Sequence, residues 1–393
     1  MANLFFNNTI INGLRKNKDA RHLLYFTLGL IVVGVLAVSS CSAMVKINSP
    51  LDCITKHLIN IGLGCILFII ASFFNYNKYK KSSLFLFILT TLLMLSTPFF
   101  REINGAHRWI NLGFFNFQPS EMAKLVMIIV MSDFLTRHKH HINTWSANVF
   151  PCIYLTVFCF IIFILQSDFG TAFLLFCIWS SLLFIAKIDT KRILIIFLAC
   201  ILAISVAILI KPYRRKRVIT YCRPVIQMFL GNKNVDTENV KTKIEKIKDS
   251  DSYNTDIAFA AFGSGGFSGK GAGKSDTKLR YLPEKHTDYI FPIIGEEYGL
   301  VGTLITVFLF IFFTKTALTI NAKCKDDFGK FLSLGIILTI TGQAIINMGM
   351  TTGIFPSKGI PLPFISYGGS AMLLNCYMVG ILVNIARSNS RLL

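Results

Sequence analysis

Leu23 to Val45 reads LLYFTLGLIVVGVLAVSSCSAMV, an apolar run without a charged side chain. A helix of that length, rising about 1.5 Å per residue, crosses the roughly 30 Å hydrocarbon core of a bilayer. The pattern recurs on either side of long stretches of the chain. Apolar runs between charges cover Leu58 to Phe74, Leu84 to Phe100, Pro119 to Leu135, Ala147 to Leu165, Thr171 to Ala186 and Ile193 to Ile210. After a polar interval come Ile290 to Phe313, Phe331 to Gly353 and Phe364 to Ala386. The spacing predicts an all-α polytopic membrane protein with about ten transmembrane helices. It divides the chain into a tail (1–22), seven helices (23–210), a long segment (211–289), three helices (290–386) and a second tail (387–393).

The composition agrees. Of 393 residues 53% are apolar and only 15% are charged, where a soluble domain carries about 25% charge. The net charge of +20 would suggest nucleic acid in a soluble protein. Here most Lys and Arg lie in the gaps between apolar runs, so they read as topology determinants and lipid-headgroup contacts, with no nucleic-acid partner. One set of short loops holds Lys78, Lys80, Lys81, Arg137, Lys139, Lys187, Lys191, Arg192, Lys323, Lys325 and Lys330. That bias predicts cytoplasmic termini and an external 211–289 segment. The first 21 residues are polar and basic, and the run after them is too long for a signal-peptide core, so no cleavable signal is expected. The ten cysteines form no C-x-x-C pair, which argues against zinc and thioredoxin-like chemistry. Cys53 and Cys222 fall in expected external loops, where they could pair or stay as thiols.

Charges inside spans are costly and call for partners. Glu121 and Lys124 are three residues apart, on one helix face. They form either a structural ion pair or part of a cavity wall. Glu296 and Glu297 lie about 10 Å into their span at 1.5 Å per residue, so at least one should face a cavity or a basic partner. Asp288 sits at the junction between the external segment and the span that follows. A carboxylate at such a wet-to-dry boundary suits a general base, and the helix dipole alone would also favour an acid there. Arg214, Arg215, Lys216 and Arg217 could hold a pyrophosphate or lipid headgroups. Gly273-Lys274-Ser275 lacks the first glycine of a P-loop, having Ser268 in its place. His138, His140 and His141 read as a solvated loop.

Five segments carry a resemblance: Asn104 to Ile110 with Gln118-Pro119-Ser120-Glu121 and Lys124; Gln166-Ser167-Asp168-Phe169-Gly170-Thr171; Tyr213 to Arg217; Gly263 through Leu282-Pro283-Glu284 and His286-Thr287-Asp288 to Glu296-Glu297 and Gly299; and Pro356-Ser357-Lys358-Gly359 with Leu362 to Ser370. Together, over about residues 20–390, they resemble the SEDS family (the FtsW and RodA proteins), and its division branch more than its elongation branch. Ile257-Ala258 departs from the Gln-Ser usual there, and Ala371 from Ser. The resemblance implies a peptidoglycan glycosyltransferase of the bacterial inner membrane, at the division septum. It would polymerise lipid II into β-1,4 glycan, with Asp288 as catalytic base. It implies substrate contacts or cavity walls at Arg108, Glu121, Lys124, Asp168, Arg214, Arg217 and Lys270. The same holds for His286, Glu296, Glu297, Lys358, Ser366 and Ser370. Basic residues or a divalent cation (Mg or Mn) would neutralise the leaving pyrophosphate. The expected partners are a class B penicillin-binding protein transpeptidase and other divisome proteins. A lipid II flippase and a non-catalytic division scaffold are the alternatives.

Overall fold

The computed structural model describes residues 17–42, 51–102, 106–111, 113, 116–139, 145–166, 168–189, 191, 251–275, 287–355 and 359–391. Among these residues the helices are α1 (Lys18–Ser42), α2 (Leu51–Phe73), α3 (Asn77–Ser96), α4 (Pro119–Arg137), α5 (Trp145–Ile164), α6 (Phe169–Ile185), α7 (Asp251–Gly265), α8 (Ile290–Ala322), α9 (Asp327–Thr351) and α10 (Gly369–Arg391). Each span read from the sequence corresponds to a helix, except 193–210, which lies outside the described residues. Among the described residues six helices are long and apolar enough to cross a membrane. A two-stranded antiparallel ladder precedes α4, pairing Ile110 with Phe117 and Asn111 with Asn116.

The helices divide into an inner and an outer set. Large apolar side chains of α2 and α3, such as Ile66, Ile70, Phe85 and Leu92, point outward, as a lipid-facing surface requires. α4 packs on both α3 and α9 and is buried almost end to end. Its sequence read as one more span, but its polar residues face protein rather than lipid. Asp133 accepts a hydrogen bond from Ser83 Oγ at 2.6 Å and another from Arg137 Nε at 2.6 Å. Pro119 occupies the first turn of α4, where its missing N–H costs nothing. α10 lies along α2 and α8 along α1. The α2–α10 contact is close because Gly380 has no side chain: a Cβ there would meet the Phe68 carbonyl oxygen at 2.6 Å.

Both ends of the described chain lie at one end of the bundle. Asn17 Nδ2 donates to the Ala386 carbonyl at 2.7 Å. At that end Lys139 pairs with Asp327 at 2.7 Å, and Lys323 pairs with Asp19.

Two expectations change. The last span does not begin at Phe364. Residues 363–368 form turn and loop, and Phe364 takes a positive φ of 65°, which ends any helical continuity there. The glycine-rich stretch from Gly263 to Gly273, whose composition predicts irregular loop near the membrane surface, is in part helical. α7 runs into it as far as Gly265, and the residues beyond are bound to α8.

That binding rests on a break in α8 at Gly299, where φ is 65° and ψ −158°. The break frees amides below it and carbonyls above it, and the glycine-rich loop takes up both. Leu300 N donates to Gly266 O at 3.0 Å and Val301 N to Phe267 O at 3.4 Å. Lys270 N donates to Glu296 O at 3.0 Å and Gly271 N to Glu297 O at 2.9 Å. A Cβ on Gly299 would lie 2.4 Å from Gly269 N. Gly299→Ala therefore combines an unfavourable φ with a backbone clash. It should destabilise the fold by at least about 2 kcal/mol, seen as a lower thermal midpoint of the purified protein in detergent.

Candidate active site

The end of the bundle away from the termini gathers most of the polar residues singled out in the sequence. They fall into three groups.

The first surrounds Asp288. This residue is half-buried and immediately precedes Tyr289, the N-cap of α8, so the base and helix-dipole explanations both remain physically sound. Its main chain is held from two sides. Asn347 Nδ2 of α9 donates to the Asp288 carbonyl at 2.9 Å, and Ser366 Oγ donates to the neighbouring Thr287 carbonyl. Gly359 lies against the carboxylate, since a Cβ there would be 2.7 Å from Asp288 Oδ2. Tyr289 packs with Ala258 and Met350, with Ile257 against them. The Ile-Ala departure from the Gln-Ser pattern thus supplies an apolar seat beneath the residue next to Asp288.

The 359–370 segment links this group to α4 and α10. Leu362 N donates to Ser366 Oγ at 2.8 Å, closing a tight turn. Ser370 Oγ accepts from Gln118 N at 2.9 Å and donates to Asn116 O at 3.1 Å. Ser370 therefore ties the start of α10 to the start of α4. Below lies the buried pair: Lys124 Nζ is 2.8 Å from Glu121 Oε2 and also donates to Gln343 Oε1 at 3.1 Å. With side chains only 2% and 4% exposed, the pair is an internal strut. Beside this segment His57, fully buried on α2, packs against Tyr367 with the rings tilted and their centroids 6.0 Å apart. Burial raises the Tyr367 phenol above its ordinary pKa, and the Cys53 thiol adds to the shift.

The second group is the α7–α8 junction. Glu296 is fully buried, with Lys270 Nζ at 2.8 Å and Ser264 Oγ donating at 3.3 Å; Ser275 Oγ donates to its other oxygen. Glu297 accepts from Ser40 Oγ of α1 at 2.5 Å. Of the cavity or basic partner that the sequence calls for, Glu296 has the basic partner, the Lys270 ammonium.

The third group lies at the start of α6. Asp168 is its N-cap and accepts from Thr171 N at 3.1 Å and Thr171 Oγ1 at 2.8 Å. It serves as a cap, while Arg108 Nε bonds the nearby Gln166 carbonyl at 2.7 Å. Arg214, Arg217, His286 and Lys358 lie outside the described residues, as does Cys222. Among the described residues no three His, Cys, Asp or Glu side chains are placed to hold a metal ion.

A scan restricted to charges passes over Gln343, Asn347, Gly359 and His57. The signal for the two amides was present: side chains with unmet hydrogen-bonding groups, four residues apart in an apolar run.

The family model described as "Cell cycle protein", covering FtsW, RodA and SpoVE, matches residues 20–391. The chain belongs to this family. It is 31% identical over 369 residues to the probable peptidoglycan glycosyltransferase FtsW of Coxiella burnetii, covering 92% of this chain and 94% of that one. It is 32% identical over 372 residues to the protein of the same name from Trichlorobacter lovleyi, covering 93% and 92%. In fold it is similar to a chain of a peptidoglycan synthase complex that coordinates polymerization and crosslinking, with a TM-score of 0.74, 20% identity and coverage of 93% and 97%. It is also similar to Thermus thermophilus RodA, with a TM-score of 0.66, 20% identity and coverage of 93% and 96%.

Removing one partner of a buried pair strands a charge, at a cost of about 3–5 kcal/mol. Lys124→Met should therefore lower the thermal midpoint sharply. Adding Glu121→Gln should recover most of the loss. A double variant no more stable than the single would move the effect from the pair to the Lys124–Gln343 bond.

Proposed function

We propose that this family member is a peptidoglycan glycosyltransferase of the FtsW type, polymerising lipid II with Asp288 as the general base. Two things support the reading: identity above 30% along nearly the whole chain to proteins named for that activity, and the placement of Asp288. Its carboxylate lies at the mouth of the bundle, packed on Gly359, with its main chain held by Asn347.

The acceptor is the GlcNAc 4-hydroxyl of lipid II. Its oxygen attacks the anomeric carbon of the donor's reducing-end MurNAc, and its proton passes to the Asp288 carboxylate. The bond from that carbon to the phosphate oxygen breaks, and undecaprenyl pyrophosphate leaves with the electron pair. One displacement inverts the α-linked donor to a β-1,4 bond. One base suffices because pyrophosphate is a good leaving group, and Arg214 and Arg217 neutralise its charge. A divalent cation, Mg or Mn, would supply the same neutralisation.

The chain sits in the inner membrane at the septum, with both termini cytoplasmic. Positive loops and the shared location of the two ends support this orientation. A class B penicillin-binding protein is the partner, by analogy with the fold relative found in a synthase complex, and other divisome proteins complete the assembly.

Glycan polymerisation from purified lipid II tests the reading. Asp288→Asn, co-purified with its transpeptidase, should lose at least about 100-fold in rate. Wild-type polymer from that variant would remove Asp288 from the base role. Gly359→Ala places a methyl against the Asp288 carboxylate, whose side chain can yield without unfolding the protein. It should slow polymerisation about tenfold while the thermal midpoint stays near wild type.

A further inference from the structure

Asp288 and the segment facing it are joined through two amide side chains of α9. Gln343 and Asn347 are four residues apart, on one helix face, and both are fully buried. Asn347 Nδ2 donates to the Asp288 carbonyl at 2.9 Å and to the Ile360 carbonyl at 2.7 Å. A single planar nitrogen thus sets the distance between two segments far apart in sequence. One turn below, Gln343 Nε2 donates to the Pro361 carbonyl at 2.9 Å.

A primary amide can be turned over, exchanging donor for acceptor. At Gln343 the choice is forced. The Lys124 ammonium, 3.1 Å from Oε1, can only donate, so the oxygen faces Lys124 and the NH₂ faces Pro361. Glu121 in turn holds Lys124 at 2.8 Å. Asn347 is fixed in the same way, because both its targets are carbonyls. Pro361 has no N–H, which limits how the 359–362 segment can pair through its own main chain. The side-chain amides supply bonds that a sheet or helix would otherwise provide.

We propose that Gln343 and Asn347 are positioning residues for Asp288. They form an amide ladder that holds its main chain against Gly359 to Leu362, and the buried Glu121–Lys124 pair orients the lower rung. This rests on Asp288 being the base. Because Gly359 touches the carboxylate, slack in the 359–362 segment becomes slack in the reacting group.

Two near-isosteric variants test the ladder. Asn347→Asp removes the donor, and Gln343→Glu keeps the acceptor for Lys124 while removing the donor to Pro361. Full-length wild type and variants, each with its partner transpeptidase, are compared by lipid II polymerisation and by backbone hydrogen exchange. The ladder predicts faster exchange in 287–289 and 359–366 with the rest of α9 unchanged. It also predicts a kcat about tenfold lower at unchanged apparent KM for lipid II. Asn347→Leu should reproduce both effects.

Asp288→Asn, run beside them, separates the two levels. If it abolishes polymerisation while the ladder variants keep wild-type kcat, the ladder is overturned and the base stands. Exchange that rises along all of α9, with kcat and KM both altered, assigns the amides a general structural role and overturns the ladder. Wild-type turnover by Asp288→Asn overturns both.

Discussion

Water is absent from the middle of an apolar bundle, so each polar group there must find its partner within the chain. Much of this structure follows from that constraint. The break at Gly299 would leave amides and carbonyls stranded at membrane depth, and the 266–271 loop meets them with its own main chain. The Lys124 ammonium would be untenable alone, and Glu121 and Gln343 enclose it. Even Asp133, near the other end of α4, is matched by Ser83 and Arg137. These charged groups of the inner helices each meet a partner close at hand.

The same constraint explains what was legible in the sequence. Long uncharged runs must be helices, because a helix satisfies its own backbone, so the spans could be read one at a time. The Glu121–Lys124 pair was also visible, since its spacing is local. The third member was not: Gln343 lies 219 residues from Lys124, and only packing of α4 against α9 brings them together. The break in α8 was hidden for another reason. Gly299 in an apolar helix looks like a tolerated small residue, and only the loop docking onto it makes the positive φ favourable. The Lys270–Glu296 contact was hidden likewise, since only docking of the loop onto α8 brings the two together.

The polar groups also differ in how they are held. Asp168, Glu121 and Glu296 are each matched closely by neighbours that cap, pair or anchor them. Asp288 differs in its surroundings. Its main chain is held firmly, its side chain is half-buried, and the residue against the carboxylate is a glycine. Its main chain is thus held by one set of residues and its carboxylate bordered by another.

α8 spans Ile290 to Ala322 as a single element by length, yet mechanically it is two. A continuous helix transmits torque along its hydrogen-bonded ladder. At Gly299 that ladder is interrupted, and the upper segment takes its register from the glycine-rich loop instead of from the turn below. Both segments are bonded to the same loop, the lower through Leu300 N and Val301 N and the upper through the Glu296 and Glu297 carbonyls. The loop is therefore a splice: what the helix's own ladder does not carry across Gly299 passes through main chain contributed by the end of α7.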